Sequence, residues 1–293
     1  MLQLTRRTAS FVATVFLAGS LAYLIPRFPA LWTDYGSFPT IFDFIDWWTW
    51  VLKGGFITDK VTQAIPWTLA LMGLATAVSF ILGSIAGALM ASPFGKIGHI
   101  ARWGAPAALT MYATPYFIFG MVLIWLFVWL WAVFPTGGGY TLGETPTLTW
   151  QGIQTLIWHG TLPTLSIILT GTAHWLVLMR GMMVTVEGED YVIQSRAMGL
   201  QDWRIFAWYR MRNCALPQFT QLFLSMGIIF TGAVMVEIVF AYPGIGYLLQ
   251  QAILGNNSGL VQSIVITTAI IFAVLLAIME LLYPLIDRRI VRD

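Results

Sequence analysis

Long runs without a single charge govern what this chain can become. Pro66 to Gly95 contains no Asp, Glu, Lys or Arg, and 41 uncharged residues separate Arg102 from Glu144. A span of hydrocarbon needs about 20 apolar residues as a helix, and a charge at its centre costs roughly 3 kcal/mol. The chain as a whole is 58% hydrophobic and only 10% charged, against about 25% charged for a soluble domain. These figures place it among polytopic membrane proteins with an all-α fold.

Six spans account for the pattern. Thr8–Ile25, behind Arg6 and Arg7, is the first. It reads either as a cleaved signal peptide or as a retained helix. The retained helix is preferred, because cleavage would leave an odd number of spans. A second span fits within Pro66–Gly95, and a third, with an irregular entrance at Pro106 and Pro115, between Arg102 and Glu144. The fourth falls between His159 and Met183, the fifth between Pro217 and Tyr242, and the sixth over Val261–Tyr283. Residues 1–65 hold the first span and a long loop. Within that loop IFDFIDWWTWVL is apolar and aromatic but too short to cross, so it is expected to lie at the interface. Residues 66–293 form the core. IPWTLAL, LPTLSII and LPQFTQL each place a proline where a first helical turn tolerates it.

One segment breaks the apolar pattern. Glu187–Pro217, EGEDYVIQSRAMGLQDWRIFAWYRMRNCALP, carries Glu187, Glu189, Asp190 and Asp202 together with Arg196, Arg204, Arg210 and Arg212. It must sit in water. Asp190–Met198 reads as a helix with acids at its N-terminal end, where the dipole favours them. Gly199 suits the left-handed residue that closes such a helix. Asp202 is placed to cap a second helix, in which Trp203, Phe206 and Ala207 would share a face and Arg204 and Arg212 point elsewhere. Pro217 would stop it and open the next span. The product is a short rigid elbow at the membrane surface, a shape suited to docking.

Orientation follows from the distribution of basic residues. With the N-terminus inside, Arg6, Arg7, Lys96, Arg102, Arg180, Arg196, Arg204, Arg210, Arg212, Arg288, Arg289 and Arg292 face the cytoplasm, 12 of the 15 basic residues. That arrangement obeys the positive-inside rule and puts both termini and the elbow in the cytoplasm.

DYVIQSRAMGL, followed 18 residues after Gly199 by Pro217, resembles the cytoplasmic loop of binding-protein-dependent ABC importer permeases. HGTLPTLSII, EIVFAYPGIGYLLQQAI, WVLKGGF and FPTGGG narrow the resemblance to the dipeptide/oligopeptide/nickel branch. Met198 departs from it, standing where lysine is usual. The resemblance implies a permease subunit that carries peptides or similar small solutes. It implies a second homologous permease, two separate ATPase subunits and an extracytoplasmic solute-binding protein as partners, with the cell membrane as location. Glu187, Asp190, Tyr191, Arg196, Ala197, Gly199, Leu200 and Arg204 would contact an ATPase. Pro217, Glu237, Pro243, Gly244 and Gly246 would serve structure or gating. Oligosaccharides and nickel complexes are the alternative cargoes in the same family.

The chemistry of the remaining residues is spare. No Gly-x-x-x-x-Gly-Lys-[Ser/Thr] phosphate loop occurs, PFGKIG being the nearest fragment, so ATP hydrolysis is expected on other subunits. No cofactor or metal is expected: His99, His159 and His174 lack metal-site spacing, and Cys214 has no partner cysteine. Glu237 and Glu280 lie near the edges of apolar runs, where an acid invites either a gating or an ion-binding reading. An ion-coupled secondary transporter is the alternative of another class. An intramembrane hydrolase would need a nucleophile and base that the sequence does not display.

Overall fold

Helices make up every regular element described in the computed structural model, which covers residues 41–92, 103–141, 149–286, position 143 and part of 12–24. The first expected span and the basic residues Arg6, Arg7, Lys96, Arg102, Arg288, Arg289 and Arg292 lie wholly or largely outside them, as does His99. The side chain of Glu280 is also outside the description. In order the helices are α1 (Ile41–Leu52), α2 (Asp59–Met90), α3 (Ala105–Ala113), α4 (Tyr116–Ile124), α5 (Trp150–Val186), α6 (Asp190–Ala197), α7 (Asp202–Arg204), α8 (Arg212–Leu224), α9 (Met226–Val239), α10 (Ile245–Leu254) and α11 (Ser258–Ile286). π-helical turns continue α4 over Trp125–Leu130 and join α7 to α8 over Ile205–Met211.

Among the described residues α2, α5 and α11 are long and apolar enough to cross a membrane. Two bent pairs bring the number to five if each is one span. The first pair, α3 with α4 and its π turn, bends by 100°. Thr114 sits at the bend in an extended conformation, φ −93° and ψ 127°. The bias is local: the ring of Pro115 disfavours helical geometry in the residue before it. The second pair bends by 53° between α8 and α9, where the Ser225 hydroxyl donates to the carbonyl of Gln221 at 2.7 Å. Such back-bonding competes with the helix ladder and bends it.

The prolines do not open the spans as the sequence suggested. Pro66, Pro163 and Pro217 lie inside helices that begin well before them. Each removes one ladder donor. Apolar helices accept this because neighbouring groups re-satisfy the freed carbonyls.

The chain divides into two compact units, Met1–Trp67 with Pro243–Asp293, and Thr68–Tyr242. The boundary falls inside α2. In the first unit the short aromatic helix α1 packs on α11: Tyr23, Trp47, Val51 and Ile266 form one buried cluster, rimmed by Phe44, Trp48 and Ile270. The Trp47 indole N–H donates to Oε1 of Gln262 at 3.2 Å. Gln262→Leu would strand that donor in an apolar cluster and should lower stability by about 1 kcal/mol. With Trp47→Phe already in place the same change should cost less, and thermal unfolding of both single variants and the double variant in detergent checks the coupling.

In the second unit α5 is the hub. It packs against α3, α4, α8 and α9 and buries residues on several faces, including Leu162, Ile167, Trp175, Met179 and Met183. Its contact with α2 is a close backbone approach. A Cβ at Gly83 would stand 2.5 Å from the carbonyl oxygen of Thr172, and one at Gly87 would collide with that of Leu176. Small residues four apart permit two helices to meet in this way. Across the same seam the Gln218 side chain of α8 donates to Ser84 Oγ and to the Trp175 carbonyl, both at 3.2 Å.

Candidate functional site

The elbow is built from the end of α5. There the amides of Glu187, Gly188 and Glu189 bond to Val184, Thr185 and Val186, a tightened last turn that leaves the Met183 carbonyl without its helical donor. Glu189 is extended, and its carbonyl accepts from Val192 and Ile193. Asp190 opens α6 and Arg196 closes it, each matched to the helix dipole. Val192 and Ser195 are the buried pair on α6, Ser195 Oγ donating to Tyr191 O at 2.6 Å.

Gly199 ends the helix as expected, with φ +73°. Its amide bonds Arg196 O at 2.9 Å and that of Leu200 bonds Ser195 O at 3.2 Å. These two bonds are the paired closure that a left-handed residue makes possible. Gln201, not Asp202, occupies the cap of the next helix, and Asp202 is its first residue. That helix also does not stop at Pro217, but runs through a π-helical turn into α8. The wide turn changes which residues share a face, because its bonds reach i→i+5 and break the ordinary periodicity. Ile205 and Phe206 are therefore buried, with Phe206 and Ala207 joining a cluster of Ala88, Met179, Met183 and Cys214. Trp203 stays exposed. Its indole donates to Gln201 Oε1 at 2.7 Å, and the Arg204 guanidinium lies 5.5 Å from its ring.

The other site residues distribute as follows. Glu187 is half-exposed and pairs with Arg196 at 2.8 Å and with Arg210 at 3.4 Å. Asp190, Ala197, Gly199 and Arg204 are exposed, while Tyr191 and Leu200 are intermediate. Pro217 is exposed on α8 and Glu237 is fully buried on α9. Pro243, Gly244 and Gly246 belong to the other unit, where Gly244 caps α10. The stretches FPTGGG and EIVFAY, far apart in sequence, meet: the Gly138 amide donates to Phe240 O at 2.8 Å. A Cβ on Gly137 would stand 2.5 Å from that same oxygen.

Beside the elbow a cavity of about 470 Å³ opens between α3, α5 and α8, mostly apolar, with Tyr112, His174, Thr185 and Asn213 as polar members. His174 stacks on Tyr112 at 5.4 Å, and His159 Nδ1 lies 2.9 Å from Thr155 O. Among the described residues no three His, Cys, Asp or Glu side chains converge on a metal site. Sequence reasoning missed Arg210, which is 1% exposed. The available signal was an arginine set in the otherwise uncharged run IFAWYRM.

The sequence profile described as "Binding-protein-dependent transport system inner membrane component" matches residues 79–292, which include the whole elbow. The chain belongs to this family. It is a helical membrane permease subunit of a binding-protein-dependent transport system. Similar proteins include the dipeptide transport system permease protein DppB of Escherichia coli, 32% identical over 238 residues, which cover 75% of this chain and 68% of that one. A probable peptide ABC transporter permease of Sinorhizobium fredii is 26% identical over 261 residues, 86% of this chain and 80% of that one. The oligopeptide permease AppB of Bacillus subtilis is 29% identical over 241 residues, 82% and 74% respectively.

Proposed function

We propose that this permease pairs with a second, homologous permease and two cytoplasmic ATPases to import peptides or similar small solutes delivered by an extracytoplasmic binding protein. Residues 66–293 carry the transport core in this reading, and the positive-inside distribution puts both termini and the elbow in the cytoplasm. The observation that carries it is the elbow itself. Val192, Ser195, Ile205 and Phe206 anchor it inward, while Ile193, Met198 and Trp203 stand exposed on it. Large apolar side chains left in water beside Arg204 and Arg196 suit a partner protein's groove. Glu187, Asp190, Arg196 and Arg204 supply the charged rim of that contact, and Gly199 sets its angle. Peptide cargo is supported by what the named relatives carry, DppB dipeptides and AppB oligopeptides.

The test is purification from native membranes in mild detergent, with mass spectrometry of what accompanies the tagged chain. Two ATPases and a second permease should co-purify, and uptake of a labelled dipeptide into inside-sealed vesicles should stop when ATP is depleted. Uptake that survives ATP depletion but collapses with the ion gradient would replace this reading with an ion-coupled carrier.

A further inference from the structure

Arg210 and Glu237 are the two fully buried charged side chains among the described residues. A guanidinium withdrawn from water is unfavourable unless its donors find acceptors. One terminal nitrogen of Arg210, Nη2, reaches three oxygens: Ala91 O at 3.0 Å, Met183 O at 3.0 Å and Glu187 Oε2 at 3.4 Å. The first lies just past the last residue of α2. The second is the carbonyl that the tightened end of α5 set free. Both belong to helix C-termini, where a cation is favoured. The third is the acid at the root of the elbow, whose other oxygen is held by Arg196 of α6 at 2.8 Å. A single buried side chain therefore ties two membrane-crossing helices to the elbow and, through Glu187, to its first helix.

We propose that Arg210 is a positioning residue for coupling. It locks the elbow to the ends of α2 and α5, so that a displacement of the elbow is passed to both helices as one body. The proposal rests on the reading of the elbow as the ATPase contact. The Glu187–Arg196 pair is half-exposed and adds little by itself; the bonds of buried Arg210 to the two helix-end carbonyls carry the tie. Arg210 sits buried on the π-helical turn, within hydrogen-bond reach of the carbonyls at the ends of α2 and α5.

The experiment uses the assembled complex in nanodiscs, in a Cys214→Ser background, with spin labels at Ile85 of α2 and Gln194 of α6, both exposed. In the parent complex the distance between the labels should hold a single narrow distribution with and without ATP and vanadate. Arg210→Met should retain the ATPases on purification yet split that distribution when nucleotide is trapped. In proteoliposomes of the same complex, labelled dipeptide imported per ATP hydrolysed should fall at least about tenfold, the scale of a lost coupling between sites. Arg210→Lys, which keeps the charge on a shorter side chain, should recover part of the ratio. Glu187→Gln, which leaves both carbonyl bonds, should split the distribution less than Arg210→Met. An unchanged distribution in Arg210→Met, or loss of the ATPases from that variant alone, overturns the proposal, the latter by making Arg210 a residue of assembly. Failure of the parent complex to retain ATPases overturns the coupling reading beneath it instead.

Discussion

Gly199→Asp is expected to leave the protein inserted in the membrane and to abolish solute uptake. Two effects combine. At φ +73° any residue with a Cβ is strained by about 1–2 kcal/mol, which lowers the ratio of closed to open elbows roughly 5- to 30-fold. Space is not the obstacle, because a Cβ there would meet no atom within 4 Å. Asp tolerates left-handed geometry better than most residues, so its larger effect would come from a charge set between Met198 and Leu200 on the proposed docking surface. Gly199→Ala isolates the conformational part and should reduce uptake only partially. Uptake by cells carrying each variant, normalised to membrane-inserted protein on immunoblots, distinguishes them. Normal uptake with Gly199→Asp would remove the elbow from the coupling path.

Gly87→Leu is expected to deplete folded protein itself. The new Cβ would run into the Leu176 carbonyl and lie 2.9 Å from the Met179 Cβ and 3.1 Å from the Arg180 amide nitrogen. Two of these neighbours are backbone and cannot turn away, so α2 and α5 must separate. Overpacking costs about 1–3 kcal/mol where side chains can adjust, and here they cannot. The separation would also break the bonds of Gln218 to Ser84 and Trp175. The readout is the monodisperse peak on fluorescence size-exclusion chromatography, which should largely vanish. Gly73→Leu on the same helix is the control: no atom lies within 4 Å of its Cβ, and the peak should persist. Equal behaviour of the two variants would refute the close-packed seam.

The elbow's first half was legible because its signals are local. Acids at the start of α6, Arg196 at its end and a glycine after it are all decided within one or two turns of chain, by dipole and by left-handed backbone. The second half was not. Trp203, Phe206 and Ala207 were expected on one face, and the π-helical turn from Ile205 to Met211 parted Trp203 from the others. The prolines misled for a related reason. Their effect on a helix is local, but whether a helix carries on past them depends on what neighbouring helices offer the freed carbonyls.

By itself the sequence determined the class of molecule, the approximate place of each later span, the exposed elbow and the family. Hydropathy and charge are sums over short windows, and the bilayer reads them one segment at a time. Only the tertiary structure decided that FPTGGG meets the Phe240 turn, that Gly83 and Gly87 admit the backbone of α5, and that Arg210 is a buried tie and not one more surface charge. Each of those depends on atoms brought together from segments between 23 and 119 residues apart or on helix faces meeting. No window along the chain contains that information, because burial and partnership are properties of the packed whole.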